Sequence, residues 1–274
     1  MPPLSRRTCL SLTLASIVST SARAQVPPIS TEQFNAWIRL RGGEDTPAYW
    51  YSAGLIWPIK DEGAVAGRMV GLETWITPPD LRTETSAVSL SRKLFFFLAP
   101  DRDELVINPR TGKPQRPSTF AYQVRKFTLV DGRINYDVES HDLRGIRQGG
   151  KGVTYTVNAH DNQVHVNYAS FPRRTGPDGN MRVNSGEIYD YFDNGSQITE
   201  EPSRYQMTWV GTNLEGRIAN LRGWRYATLD DLPNTWLKEI VVDKAPLWTA
   251  PPKDLSEVET LRATVPYPVP GLPV

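Results

Sequence analysis

Three histidines, His141, His160 and His165, are the natural proton shuttles of this chain, and two of them fall within VTYTVNAHDNQVHVNYASF, residues 153–171. An imidazole moves a proton in a defined direction only when a neighbouring group fixes its tautomer. With Asp161-Asn162 as a turn, period-two alternation pairs Tyr155 with Tyr168, Val157 with Val166 and Ala159 with Val164 on an apolar face. The opposite face then carries Thr154, Thr156, Asn158, His165 and Asn167, with Asn158 directly across from His165. His160 sits beside the turn, so the two imidazoles do not converge. A three-histidine zinc site would need all three to meet, and no metal centre is expected. His165 is the histidine expected in a site, with Asn158 and Asn167 beside it, on a face that meets either solvent or a cavity.

Two other segments carry groups suited to proton transfer. Glu73 in GLETWI stands among apolar neighbours, on the strand face opposite Leu72 and Thr74. A carboxylate there is a solvated acid, half of a structural ion pair, or a catalytic group whose pKa desolvation moves toward neutral. GEIYDYFDN places the odd-numbered Glu187, Tyr189, Tyr191 and Asp193 on one face of a regular strand. Inside a barrel that row is an acid and base array with phenolic donors; outside, it is a solvated face. Glu73, Glu187 and Tyr189 are the groups His165 is expected to meet. Eight tryptophans and eleven tyrosines offer either core packing or ligand walls, and Trp50, Trp57, Trp75 and Trp209 are the candidate walls for a small apolar or aromatic molecule.

Several catalytic devices are missing: the Gly-x-Ser-x-Gly elbow, the phosphate-binding Gly-x-x-x-x-Gly-Lys loop, the dinucleotide fingerprint and His-Glu-x-x-His. GGKG at 149–152 reads as a turn. Chemistry without a cofactor, using Glu, Asp, Tyr, Arg and His, is the expectation.

The elements that must hold these groups read mostly as strands. FTLVDGRINYDV is the clearest, because Asp131-Gly132 is a preferred type I′ turn that pairs Leu129 with Ile134, Phe127 with Tyr136 and Lys126 with Asp137. YWYSAGLIWPI, GRMVGLETWI, KLFFFLA, GEIYDYF and YQMTWVG bring the count to about nine. The fold class is all-β and mainly antiparallel, a barrel-like structure or sandwich with a few short peripheral helices. Ser30 with Gln33 forms a capping box before Phe34, Trp37 and Ile38, stopped by Gly42 and Gly43. A second helix lies near TLDDLPNTWLKEIV, where Thr228 can cap and Pro233 opens or divides it. From Pro246 onward the proline-rich tail is expected to run extended over the surface.

Arg6 and Arg7 precede an apolar run from Cys9 to Val18, and Ala22-Arg23-Ala24 suits a signal peptidase, so residues 1–24 read as a cleaved export signal with Gln25 as the first mature residue. Ser5-Arg6-Arg7-Thr8-Cys9-Leu10 resembles a twin-arginine signal. The run is too short to remain as a membrane anchor, and a periplasmic or secreted protein without membrane insertion is expected. Cleavage removes three arginines and no acid, so a formal charge of +1 becomes −2, which leaves no basic field for nucleic acid. Cys9 also leaves, which excludes disulfides and thiol chemistry from residues 25–274, read as one β-rich domain.

AYWYSAGLIWPIKDEGAVAGRMVGLETWI, then DELVINPRTGKPQ, then GWRYATLDDLPNTWLKEIV resemble, in that order, the pattern of an uncharacterised family known as domain of unknown function 1838. The resemblance implies export and carries no accepted activity or catalytic residues. Two readings follow from the residues themselves. One is an exported acid and base enzyme, an isomerase, lyase or hydrolase of an apolar or aromatic molecule. The other is a lipocalin-like periplasmic carrier with no convergent ionisable groups, and an interaction protein without a cavity is a third class.

Overall fold

The computed structural model describes residues 28–43, 45–58, 65–108, 111–141, 148–150, 156–160, 163–170, 173–175, 181–183, 185–194, 203–211, 217–266, 269 and 272. Helix α1 (Thr31–Gly42) is followed by β1 (Ala48–Pro58), β2 (Gly67–Ile76), β3 (Ser86–Leu98), β4 (Ser118–Val130) and β5 (Arg133–Ser140). Next come β6 (Gln148–Gly150), β7 (Thr156–His160), β8 (Gln163–Ser170), β9 (Arg173–Thr175), β10 (Met181–Val183) and β11 (Ser185–Asn194). The chain continues through β12 (Arg204–Gly211), β13 (Arg217–Tyr226), α2 (Thr235–Lys244) and α3 (Leu255–Thr264). Eleven strands form one antiparallel sheet in the order β6-β5-β4-β3-β2-β1-β13-β12-β11-β8-β7, while β9 and β10 pair separately.

The sheet is two meanders joined where β13 pairs with β1. It curls into a half-barrel. The curl is visible in the side chains: Trp209 on β12 lies 6.4 Å from Phe95 and 6.3 Å from Phe97 on β3, although three strands separate them in the ladder. Strands of L-residues twist, and that twist lets a wide sheet curl. Two glycines let neighbouring rings close in, since a Cβ on Gly71 would stand 2.0 Å from the Phe95 ring and one on Gly223 would stand 2.1 Å from the Tyr205 ring.

The Asp131-Gly132 turn forms with both residues at positive φ, 51° and 67°, and pairs Leu129 with Ile134, Phe127 with Tyr136 and Lys126 with Asp137. In the second hairpin Val157 faces Val166, Asn158 faces His165 and Ala159 faces Val164, as alternation requires; Tyr155 and the Asp161-Asn162 turn lie outside the described residues. Helix α1 starts at a complete capping box between Ser30 and Gln33 and ends at Gly43, φ 68°.

Four expectations change. β13 is a full strand that the sequence reading passed over, because its inward positions are the small Ala219 and Gly223 around Leu221 and give weak alternation. The GGKG segment is no turn at its start: Gln148–Gly150 is an edge strand beside β5. Thr228 does not cap α2; its N–H and hydroxyl bond Asp231, while Asn234 accepts from Leu237 N–H as the true cap. The tail from Pro246 is not simply extended, since Pro246–Thr249 forms a 3-10 turn and α3 follows. These elements and α2 cover part of the convex face, burying Trp248, Leu237, Val241, Val258 and Leu261.

Candidate functional site

Helix α1 packs across the concave face and is fastened by its own loose ends. The last carbonyls of a helix have no partners within it. Here Trp50 Nε1 donates to Arg41 O at 2.9 Å, and Arg225 Nη1 donates to Arg39 O and Leu40 O at 3.1 and 3.2 Å. A cation at this end also suits the helix dipole. Gly42 comes so close to Thr77, just past β2, and to Ser89 on β3 that a Cβ there would lie 2.3 Å from Thr77 Oγ1 and 3.1 Å from Ser89 Oγ. The docking delivers Phe34, Trp37, Ile38 and Arg41, one helical stripe, into the bowl of the sheet.

Arg41 meets Trp75 there. Its guanidinium carbon lies 4.5 Å from the Trp75 ring centroid and 5.3 Å from those of Tyr189 and Tyr191. Arg125 and Lys93 approach the same Trp75 at 5.0 and 5.3 Å. Glu73, two residues before Trp75 on the same face, receives Trp75 Nε1–H at 3.1 Å and Lys93 Nζ at 2.6 Å on one oxygen, Oε2. Its other oxygen, Oε1, is buried without a hydrogen-bond partner. Tyr189, Tyr191, Tyr205, Trp37 and Trp50 wall the group, with ring centroids 4.9–5.6 Å apart, and Ser52 Oγ shares a 2.7 Å hydrogen bond with Tyr205 OH.

Burial alone would push the Glu73 carboxyl up. The charges of Lys93, Arg41 and Arg125, with the Lys93 hydrogen bond, outweigh that and hold it below its ordinary value of 4.5. Of the readings open to Glu73, the solvated acid is excluded by its burial and an ion pair forms, with Lys93, while the shift toward neutral that desolvation alone would bring does not occur.

The structure brings together Glu73, Tyr189, Trp50 and Trp75 from the sequence-derived set. Trp209 joins the same concave face farther along, against Phe95 and Phe97. The row of Tyr189 and Tyr191 is the buried one, and Ile188, in the alternate row just before them, is exposed. Glu187 occupies that same inward row by register, opposite Trp209; its side chain lies outside the described residues. His165 pairs with Phe192 and Asn167 with Asp190, positions that alternate with Tyr189 and Tyr191. The register thus puts His165, Asn158 and Asn167 on the face away from Glu73 and Tyr189, a correction to the expected meeting, because one-residue alternation decides the side of the sheet. Their side chains too lie outside the described residues. Trp57 is also displaced, since it belongs to the convex row of β1.

Sequence reasoning missed Arg41, Lys93 and Arg125. Arg41 follows Phe34, Trp37 and Ile38 at helical spacing, a signal that was available. Lys93 shares the parity of Phe95 and Phe97, but its partner was hidden until β2 and β3 were paired. Among the described residues no group of three or more His, Cys, Asp or Glu could hold a metal ion. No helix among them is long and apolar enough to cross a membrane. No protein-family model matches the chain, and no curated protein matches it.

Proposed function

We propose that the protein is an exported enzyme acting by acid and base catalysis on a small apolar or aromatic molecule at the concave face. The observation that carries this reading is Glu73 Oε1, a buried carboxylate oxygen without a partner, kept ionised by its neighbours and flanked by aromatic rings. A carboxylate held in that state is ready to accept a proton at neutral pH. Its lowered pKa makes it a weak base, so the proton it takes must be one whose loss leaves an anion that the neighbouring cations stabilise, such as a C–H beside a carbonyl. Lys93 and Arg41 stand where negative charge formed on such a substrate would be stabilised, and the Tyr189 phenol is the candidate donor that returns a proton. A carboxylate with cations beside it suits an isomerase, a lyase or a hydrolase, which share a proton transfer and a negative charge to be stabilised.

The second reading is the carrier, favoured by the aromatic walls that Trp50, Trp75 and Tyr189 give the concave face. Incubation of the protein from Gln25 onward with aromatic ketones in deuterated water, followed by NMR, separates the two. An enzyme exchanges the acidic C–H for deuterium, and folded Glu73→Gln loses the exchange; binding without exchange identifies the carrier. Unchanged exchange in Glu73→Gln removes Glu73 from the reaction. N-terminal sequencing of exported protein tests the start at Gln25, and an intact Met1 would refute it.

A further inference from the structure

Trp57 is the one proposed ligand-binding tryptophan that the concave site does not absorb, and it lines an open groove of about 670 Å³ on the opposite side of the sheet. The groove is built on three directly facing pairs along β1 and β13: Trp57 with Ile218, Leu55 with Asn220, and Ala53 with Arg222. Its composition changes along its length. Trp57, Ile218 and Leu55, which is 38% exposed, make an apolar floor at one end. Arg222 stands at the other, where the short side chain of Ala53 leaves room beside the guanidinium.

Arg222 is the charged group among the described lining residues. Among the described residues that line it there is no Asp or Glu, and the register neighbour of Arg222 on β12 is the neutral Gln206. The helices and tail that cover the convex face do so around Tyr49, Tyr51 and Tyr226, at the other end of the same strands. Trp57 lies four strand rises from Ala53, about 13 Å, a span that accommodates a one-ring molecule with a short charged arm.

We infer that this groove binds a small aromatic carboxylate, its ring on Trp57, Leu55 and Ile218 and its carboxylate on Arg222, with the Asn220 amide as a further donor. A guanidinium matches a carboxylate with two parallel hydrogen bonds, and a tryptophan beside isoleucine and leucine matches a planar ring. The sheet itself separates this groove from Glu73, so the site stands independently of the chemistry proposed for the concave face.

The test is fluorine NMR of 4-fluorophenylacetate, and of the uncharged 2-(4-fluorophenyl)ethanol, titrated with the full purified protein. The acid should show saturable line broadening, weakened about tenfold in Arg222→Gln, as loss of a charge-assisted pair requires. Trp57→Ala should weaken both compounds, Arg222→Gln should leave the alcohol unchanged, and Val242→Ser, an exposed change on α2, should alter neither. Absence of saturable binding by the acid, or equal affinity in Arg222→Gln, overturns the inference. So does concentration-dependent self-association that Trp57→Ala abolishes, which would assign the groove to a second copy of the chain.

Discussion

Lys93 Nζ lies 2.6 Å from Glu73 Oε2, and the two residues face each other directly across β2 and β3, at 4% and 2% exposure. A pair so deeply buried has given up most of its hydration, so its net contribution is small while the cost of breaking it is large. Glu73→Gln should destabilise the protein by about 3–5 kcal/mol, because it takes the carboxylate from beside three cations. Lys93→Met should cost less, since Arg41 and Arg125 still act on Glu73. Urea unfolding of both single variants and the double variant measures the coupling, and additive losses would show that the pair does not act as a unit.

The same carboxylate sets a pH dependence. Its folded pKa lies below 4.5, so the unfolded chain takes up the proton first as pH falls. The stability it confers is fully present above about pH 4.5 and is lost progressively as pH drops through the folded value. The urea midpoint of the parent protein should therefore fall toward that of Glu73→Gln on acidification. A difference between them that stays constant from pH 7 to about pH 3 would contradict this.

Gly223 and Gly71 should resist enlargement more than a glycine with open space. Gly223→Ala must move the Tyr205 ring and with it the Ser52 hydrogen bond, and Gly71→Ala must move Phe95. Each should cost about 1–3 kcal/mol by overpacking. Gly112→Ala, at φ 66° with nothing within 4 Å of the added carbon, carries backbone strain alone and should cost about 1 kcal/mol. Thermal unfolding of the three variants checks the order.

Trp248 ties the C-terminal segment to the sheet. Its indole N–H lies 2.8 Å from Lys93 O and 3.2 Å from Phe120 O, next to the register shift between β3 and β4. Trp248→Phe keeps the ring packing and removes the donor, for a loss of about 1–3 kcal/mol. Hydrogen exchange should rise in α3 before the sheet core; protection unchanged in α3 would show that the tail is held by other contacts.

What the chain determined by itself is whatever depends on neighbours in sequence. The Asp131-Gly132 hairpin is legible because two positive-φ residues and flanking alternation specify one register. The α1 cap is legible because Ser30 and Gln33 satisfy each other's backbone within one turn. Alternation also grouped Glu187 with Tyr189 and Tyr191, and separated Glu73 from Leu72. It could not say which row turns inward. That choice belongs to the curl of the whole sheet, which brings Trp209 against Phe95 and Phe97, and to α1, whose last carbonyls are taken by Trp50 on the next element and by Arg225 far along the chain. The meeting of Arg41, Lys93, Arg125 and Glu73 around Trp75 likewise exists only after four elements pack. Electrostatic and aromatic contacts of that kind depend on distance in space, and a linear sequence records only distance along the chain.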